Sequence, residues 1–383
     1  MRKHCFKKCA AALAALVLIL PLTTARAVNT PVDLSNAKTA IIAESVSGQI
    51  IMEKNSQERV NVAGLSRLPS LLLVCELIDE GALSLSDEIT VSETAASVKG
   101  PTAFVEPYEQ IAASELLKAA VMIGAGDAIY ALAEAATGSA EVFVERLNER
   151  LSELNIDVSY TNITGDGMLL SVSDLAALGR EAVKSEAFRN YATLYMDGIT
   201  HKNGTSTELV NSNRLIRNTT GCLGVSTGSS DSAGYCGVFF VQRGETAYVC
   251  SLTGAPNSSA RFSTAQSMIE YAFGAYKTVT LARAGEILVE NISVKGGAEL
   301  LVNLAAKDDS VLLLKQNEQY SERREVPETL YAPLTTDAVA GTIEYLDENG
   351  NLIAVVELVP QRAVAQAGLS DFIRLMFLGF LHA

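Results

Sequence analysis

Residues 60–81, VNVAGLSRLPSLLLVCELIDEG, form an apolar run that ends at a glycine. A run of this length and composition predicts a buried helix, beginning near Gly64 and ending before Gly81. Gly64 is a poor helix residue, by roughly 1 kcal/mol relative to alanine. Pro69 lacks the N–H that would bond to the carbonyl of Leu65, so we expect a kink at the helix start.

Strand patterns flank this helix at a distance on both sides. Residues 37–55 alternate around Ser47-Gly48, which predicts two strands joined by a turn. The most economical arrangement is an antiparallel sheet that joins this hairpin to later strands, with helices on its faces, an α+β domain. The further predicted helices are 114–136, 141–155, 171–185 and 259–276, and the later predicted strands are 222–228, 234–242 and 245–254.

From about Lys277 the sequence changes to short alternating runs, which predict a small β-sandwich. Its last hairpin turns at Asn349-Gly350, a pair typical of a type I′ turn. The surrounding DENGN shares some residues with a calcium loop but lacks the full ligand spacing, so we favour the turn.

The segment Leu369–Ala383, LSDFIRLMFLGFLHA, has a broad apolar surface interrupted on one narrow face by Ser370, Asp371 and Arg374. It is too short to span a bilayer. We expect an amphipathic helix that associates with a membrane surface, in preference to a core helix.

The first 27 residues have a basic start, an apolar run from Ala10 to Leu22 and the ending Ala25-Arg26-Ala27, which together predict a secretory signal peptide. This segment holds five Lys or Arg and no Asp or Glu. The remaining chain therefore has 25 basic and 44 acidic residues, a formal charge of −19. Such a charge argues against nucleic acid as a partner.

Cysteine and histidine are scarce after the signal segment. One disulfide among Cys222, Cys236 and Cys250 is conceivable outside the cytoplasm, but a chain of this size needs no such cross-link, so we favour buried thiols for these and Cys75. Only His201 and the penultimate histidine remain, which leaves little material for a Ser-His-Asp triad or a metal site. We expect no cofactor and no metal.

The segments 40–60, 77–100, 114–134, 143–155, 211–216 and 226–236 together resemble the D-alanyl-D-alanine carboxypeptidases, the low-molecular-weight penicillin-binding proteins of peptidase family S11. The resemblance implies a β-lactamase-like domain, a C-terminal β-domain and a membrane-associating helix. The boundaries that we expect are 1–27 for the signal peptide, 28–276 and 277–365 for the domains, and 366–383 for the helix.

The family's chemistry, as the resemblance implies it, needs three motifs around one cleft. S-x-x-K supplies the nucleophilic serine and its lysine base, S-x-N adds a hydroxyl and an amide, and K-T-G supplies a cation for the substrate carboxylate. In this sequence all five of these side chains are replaced. The corresponding positions are Gly64 and Arg67 for the first motif, Gly124 and Gly126 for the second, and Ser226 for the lysine of the third, which continues with Thr227-Gly228.

No nearby side chain is expected to replace the missing nucleophile. Ser66 lies about 200° around a helix from Gly64 and is therefore expected to point away from the cleft, and Ser70 lies about 120° around and nearly two turns deeper. Arg67 stays protonated and cannot act as a base. The two glycines of the second motif have another explanation, close packing between helices, but the resemblance favours lost function.

Some substrate-binding groups are expected to remain. The resemblance places Ser226, Thr227 and Gly228 on a strand edge that holds the peptide, and Arg261 near the substrate carboxylate; the alternative for Arg261 is a surface ion pair. We therefore predict an exported, catalytically inactive carboxypeptidase-like protein that binds or scaffolds at the cell wall or the outer face of the cytoplasmic membrane. Its partner would be a stem peptide or a wall protein. The alternatives are a residual serine carboxypeptidase with a displaced nucleophile, and a structural protein.

Overall fold

The computed structural model describes residues 32–371 and residue 373. The predicted signal peptide lies outside the described residues, as does most of the segment predicted to be a membrane-associating helix. The described α-helices are α1 (Leu68–Asp79), α2 (Glu93–Ala96), α3 (Ala113–Ile123), α4 (Gly126–Thr137), α5 (Ala140–Glu153), α6 (Val172–Ala182), α7 (Glu186–Ala192), α8 (Leu215–Asn218) and α9 (Ser258–Ala275).

The strands follow the order expected from the alternation of apolar residues, with several short strands that the sequence did not indicate. They are β1 (Thr39–Glu44), β2 (Ile50–Lys54), β3 (Val60–Asn61), β4 (Glu88–Thr90), β5 (Gln110–Ala112), β6 (Leu169–Leu170), β7 (Met196–Thr200), β8 (Ser206–Val210), β9 (Cys222–Ser230), β10 (Gly234–Arg243), β11 (Thr246–Ala255), β12 (Tyr276–Ala282), β13 (Ile287–Lys295), β14 (Leu301–Ala306), β15 (Ser310–Lys315), β16 (Ser321–Glu325), β17 (Thr329–Tyr331), β18 (Gly341–Leu346) and β19 (Leu352–Pro360).

A five-stranded sheet in the order β2-β1-β11-β10-β9 organises the first domain. Its pairs are antiparallel, and β1 joins β11 from Thr39 opposite Thr253 to Glu44 opposite Tyr248. All six residues of β1 are buried, because helices cover both faces of the sheet. The predicted union of the N-terminal hairpin with the late strands is confirmed, and β9 forms the outer edge.

The sheet separates two apolar clusters. On one face α1 and α3 to α7 bury side chains such as Leu72, Leu116 and Phe143, and on the other α9 buries Met268 and Ile269. Apolar burial of this extent is the main stabilising term for a domain of this kind. It also fixes residues Ala63–Arg67, which precede α1, beside β9.

The helix predicted from Gly64 begins four residues later. Residues Ala63–Arg67 form a 3₁₀ turn, and α1 starts at Leu68 with Pro69 in its first turn. Proline is tolerated there because the N–H groups of a first helical turn have no partner within the helix. The predicted kink is therefore a change of helix type, and Gly64 lies outside the α-helix.

The predicted helix 114–136 is two helices. Gly124 has a left-handed φ of 65° and ends α3, and α4 begins at Gly126. A glycine adopts this conformation without the steric cost that a Cβ adds. The second motif therefore lies in a turn between helices.

The C-terminal domain is built from strands, as predicted. A six-stranded sheet, β16-β18-β19-β14-β13-β17, lies with the pair β12-β15 around an apolar core that includes Leu304 and Leu358. The type I′ prediction at Asn349-Gly350 is wrong, since only Gly350 has a positive φ, at 81°. The side chain of Asp347 instead accepts the N–H groups of Asn349 and Asn351, both at 2.8 Å.

Two further observations concern the described residues as a set. Cys75, Cys222, Cys236 and Cys250 are buried as free thiols, in agreement with the favoured prediction. No helix in residues 32–371 and 373 is long and apolar enough to cross a membrane.

Candidate functional site

An open cleft of about 380 Å³ lies in front of Gly64. One wall is the 3₁₀ turn, the second is the segment around Gly100-Pro101, and the third is the loop from Gly165 to Leu169. Serines at the end of β9 and in the following turn complete it. The lining residues are Asn61, Ala63, Gly64, Ser66, Arg67, Gly100, Pro101, Gly165, Asp166, Gly167, Met168, Leu169, Ser229, Ser230 and Ser232.

Gly64 faces free space, whereas β9 touches its backbone. A Cβ added at Gly64 would meet no atom within 4 Å. A Cβ at Gly228 would lie 2.9 Å from the nitrogen of Gly64, closer than real Cβ atoms approach. The first and third motif positions are therefore adjacent, as the resemblance implies, and the position of the nucleophile has room for a side chain.

Arg67 is buried, with 8% of its surface exposed, and its guanidinium is bonded to backbone carbonyls. Its Nη1 donates to the carbonyl of Gly124 at 3.1 Å and of Pro101 at 3.3 Å, and its Nη2 donates to that of Lys99. Burial lowers the pKa of Arg67, while the charges of Asp166 and Asp127 oppose this shift. The side chain thus connects the 3₁₀ turn to the Lys99–Pro101 wall and to the turn between α3 and α4.

The guanidinium of Arg67 occupies the space in front of Gly126. A Cβ built on Gly126 would lie 2.7 Å from Cζ of Arg67 and equally close to Cγ1 of Val98. An asparagine side chain at 126 therefore cannot coexist with Arg67 in this position. The residues at positions 67 and 126 are therefore physically coupled.

The residue after the second motif keeps a structural function. Asp127 is 1% exposed, and its carboxylate accepts the N–H groups of Ala103 and Ala128, both at 2.8 Å. Burial raises the pKa of this carboxyl, and the N–H donors act in the opposite direction. Asp127 thereby fixes the segment that follows Pro101 to the start of α4.

His201 connects the end of the segment that follows Pro101, near Glu109, to the β7–β8 hairpin. Its Nδ1 lies 2.9 Å from Oε1 of Glu109, and its Nε2 lies 2.8 Å from Oγ1 of Thr207. The His201 side chain is only 5% exposed and is not part of the cleft lining. His201 therefore stabilises the position of the cleft wall from outside the cleft.

The two nearby serines do not replace a nucleophile at 64. Ser66 was expected to point away from the cleft, yet it borders it, because the 3₁₀ turn rotates the chain further per residue than an α-helix does. Its hydroxyl nevertheless donates to the carbonyl of Thr164 at 3.1 Å, and that of Ser70 donates to the carbonyl of Ile163. Both hydroxyls are buried in structural hydrogen bonds.

Arg261 is not a surface residue, so the predicted alternative of a surface ion pair is wrong. It is 6% exposed, and its Nη1 donates to the carbonyls of Gly228 and Cys236, both at 3.2 Å. Burial lowers its pKa to about 10. The guanidinium supports β9, and Arg261, Ser226, Thr227 and Gly228 are absent from the described cleft lining.

The walls formed by residues 100–101 and 165–169 were not found from the sequence. The available signals were Gly100-Pro101 and Gly165-Asp166-Gly167, which indicate turns without saying where those turns pack. Within the described part of the chain, no group of three or more His, Cys, Asp or Glu is placed to hold a metal ion.

Comparison with known proteins identifies the class. A family model described as D-alanyl-D-alanine carboxypeptidase, peptidase S11, matches residues 24–256, and one for the C-terminal domain of penicillin-binding protein 5 matches residues 276–366. The first match covers more than half of the chain. The chain therefore belongs to the S11 D-alanyl-D-alanine carboxypeptidase family, whose members act on peptidoglycan outside the cytoplasm, and the predicted resemblance is confirmed.

Individual relatives extend over most of the chain. The D-alanyl-D-alanine carboxypeptidase DacF of Bacillus subtilis is 29% identical over 345 residues, 88% of each chain. DacC of Escherichia coli is 25% identical over 390 residues, 96% of this chain and 95% of the relative. Penicillin-binding protein 5 of Haemophilus influenzae superposes with a TM-score of 0.77 at 22% identity, covering 88% of this chain and 99% of that one, which supports the fold.

Proposed function

We propose that this protein is an exported, catalytically inactive member of the S11 family that binds a peptide ligand at the cell wall. The observation that carries the proposal is the position of Arg67. A permanently charged guanidinium stands where the resemblance places the family's lysine base, and in this conformation it occupies, with Val98, the space that an asparagine side chain at 126 would need. With glycine at 64 and arginine at 67, these two positions supply neither the family's nucleophile nor its base.

Retention of an open cleft supports a binding role over a purely structural one. The space before Gly64 is not filled by side chains, although the catalytic groups are gone. Arg67 and Asp127 hold its walls through buried hydrogen bonds. The edge strand β9 lies beside the 3₁₀ turn, and an edge strand offers backbone groups to an extended peptide. We infer that the ligand is a peptidoglycan stem peptide or an extended segment of a wall protein.

Labelling with a fluorescent penicillin tests the absence of the nucleophile. Loss of a nucleophile costs on the order of a millionfold in turnover. We expect no adduct that survives denaturation, under conditions that label an active D-alanyl-D-alanine carboxypeptidase. A stable adduct on this protein would overturn the proposal.

The competing candidate is a residual serine carboxypeptidase, and the hydroxyls of Ser229, Ser230 and Ser232 in the cleft are the observation that favours it. Nucleophilic serines need an adjacent base. None of the described residues lining the cleft is Lys or His, and its carboxylate, Asp166, accepts the hydroxyl of Thr164 at 2.8 Å. If an adduct forms, its loss in one of the three Ser→Ala variants would identify the displaced nucleophile.

Binding of a peptide that ends in D-Ala-D-Ala separates a binding role from a structural one. Titration followed by calorimetry or NMR should give a saturable signal, weakened in Arg261→Ala because β9 loses the donor to Gly228. The matched control is Arg243→Ala, another arginine of the same domain, which pairs with Glu270. The unfolding midpoints of both variants show whether a loss of binding is caused by unfolding of the protein.

Restoring the first motif alone should not restore turnover. Gly64→Ser has the space it needs, and Arg67→Lys supplies an amine. The hydroxyl and amide of the second motif and the cation of the third remain absent. We expect the double variant to release no D-alanine above background, whereas rates near those of active relatives would show that the cleft is still poised for chemistry.

A further inference from the structure

Large apolar side chains are exposed together at one end of the C-terminal domain. Leu300 is 56%, Leu301 45% and Tyr331 69% exposed. Leu301 pairs with Ser293, and Tyr331 pairs with Lys295, two residues further along β13. Paired residues share a face, and so do residues two apart on one strand. Leu301 and Tyr331 therefore lie on the same face of the sheet.

That face is the outer one. Val294 and Leu330, which alternate with the paired residues on β13 and β17, are 3% and 9% exposed and belong to the domain core. The outer face thus presents Leu301, Tyr331 and the exposed Lys295, with Leu300 in the adjoining turn. We call Leu300, Leu301 and Tyr331 the apolar collar.

The chain leaves the domain beside this collar. Gln366 forms a β-bridge with Gly297, and the N–H of Ala367 donates to the carbonyl of Gly296 at 2.8 Å. Leu369, three residues after the bridge, is 80% exposed, and Ile373 is 49% exposed. The sequence that follows, residues 374–383, is RLMFLGFLHA.

We propose that the apolar collar rests in the boundary between headgroups and acyl chains of a lipid bilayer, as a second membrane contact besides the tail. This inference rests on the prediction from the sequence that the tail associates with a membrane surface. Tyrosine is suited to that boundary, where its ring is buried and its hydroxyl is hydrated. Lys295, on the same face, can extend its amine to the headgroups while its stem covers apolar surface.

Charge argues that this contact is hydrophobic. The chain has a net charge of −14, so an anionic surface repels it at long range. Beside the collar, Arg362 is paired with Glu299, which removes one cation from electrostatic attraction. Binding through the collar should therefore occur on uncharged phosphatidylcholine vesicles and persist at high salt.

The absence of tryptophan from the chain allows a direct test. Tyr331→Trp places a single fluorophore in the collar. The control is Leu352→Trp, at a site that is 55% exposed. Leu352 begins β19, and the other end of that strand, Pro360, lies eight residues or about 26 Å from it. Both variants are used without the predicted signal segment, with phosphatidylcholine vesicles containing brominated acyl chains.

We expect a blue shift and quenching for Tyr331→Trp and neither for Leu352→Trp. Leu300→Ser with Leu301→Ser should lower the vesicle partition coefficient about tenfold, because two partly exposed leucines no longer enter the apolar boundary, whereas Leu352→Ser should not change it.

If the Tyr331→Trp variant binds vesicles while its indole stays unquenched, the tail alone makes the contact and the collar proposal fails. An equal loss of binding in the Leu300→Ser/Leu301→Ser variant and in Leu352→Ser would also overturn the proposal. So would a dimer of the unmodified protein in vesicle-free solution that becomes monomeric only in the Leu300→Ser/Leu301→Ser variant. None of these outcomes bears on penicillin labelling, which tests the proposed function separately.

Discussion

The side chain of Arg67 determines both the hydrogen bonds between the cleft walls and the space available at position 126. A guanidinium is larger than the ammonium of lysine and has five donors in a planar fork. In this protein the fork bonds to carbonyls from two separate segments, and the residue at 126 has no Cβ. Arg67 and Gly126 therefore belong to one packed, hydrogen-bonded unit with the carbonyls of Lys99 and Gly124.

The first prediction follows from this packing. Gly126→Ala should destabilise the protein by about 1–3 kcal/mol, because its Cβ would lie 2.7 Å from both Arg67 and Val98. Gly64→Ala is the matched control, since its Cβ meets nothing within 4 Å and alanine favours a helical turn. Chemical denaturation measures both changes.

In the background Arg67→Ala, the penalty of Gly126→Ala should shrink, although contact with Val98 remains. Equal penalties in the two backgrounds would show that the guanidinium moves aside at no cost, contrary to the coupling inferred here.

At this scale the resemblance suggested where the motifs lie, and no sequence pattern indicated how their side chains are oriented. The resemblance aligned Gly64, Gly124 and Gly126 with their motifs. The bonds of Arg67 depend on carbonyls 32 to 57 residues away, which no local pattern reveals. The buried position of Arg261 was missed for the same reason.

At the scale of elements, the wall of the cleft depends on an attachment to the β7–β8 hairpin. His201 is held between Glu109 and Thr207, and the carboxylate of Glu109 also accepts the N–H of Glu106 at 2.9 Å. Loss of the imidazole would leave a nearly buried carboxylate without its main side-chain partner.

The second prediction is that His201→Ala increases hydrogen exchange in both attached segments, residues 99–110 and 196–210. Exchange followed by mass spectrometry measures the change, with Glu208→Ala, at an exposed position of β8, as control. Faster exchange confined to the hairpin would mean that the wall is held by Asp127 alone.

Element types were predictable where periodicity was strong, as in α5, α6 and β9 to β11. The boundaries at the motifs were not. Gly124 divides a continuous apolar pattern because it ends α3 in a left-handed conformation, and Pro69 marks the first turn of α1 where a kink was expected. Both errors arise because a pattern of apolar residues does not report backbone φ.

At the scale of the whole molecule, all four described cysteines are enclosed by the two cores. Burial raises the pKa of Cys75, Cys222, Cys236 and Cys250, so these thiols stay protonated as well as inaccessible.

The third prediction is that iodoacetamide at pH 8 leaves the native protein unmodified, once the signal segment is removed. Denaturant should expose four reactive thiols, which mass spectrometry counts. Rapid labelling of any of them without denaturant would show that a core opens locally under native conditions.

The overall arrangement could be predicted because the sheet unites segments whose strand patterns are clear and whose order fits one antiparallel topology. The cleft walls could not, since the loops at 100–101 and 165–169 carry only turn signals and are positioned by buried groups such as Asp127 and Ser66. The apolar collar could not be predicted either, because the register of β13, β14 and β17 determines that Leu301 and Tyr331 share a face.

The interlocked Arg67 and Gly126 also constrain the evolutionary history open to this protein. An asparagine introduced first at 126 would meet the guanidinium and Val98, and a lysine introduced first at 67 would leave the carbonyls of Lys99 and Gly124 without this donor. Either order of substitution passes through a less stable chain. This epistasis acts as a ratchet, because neither position can change alone without a cost in stability.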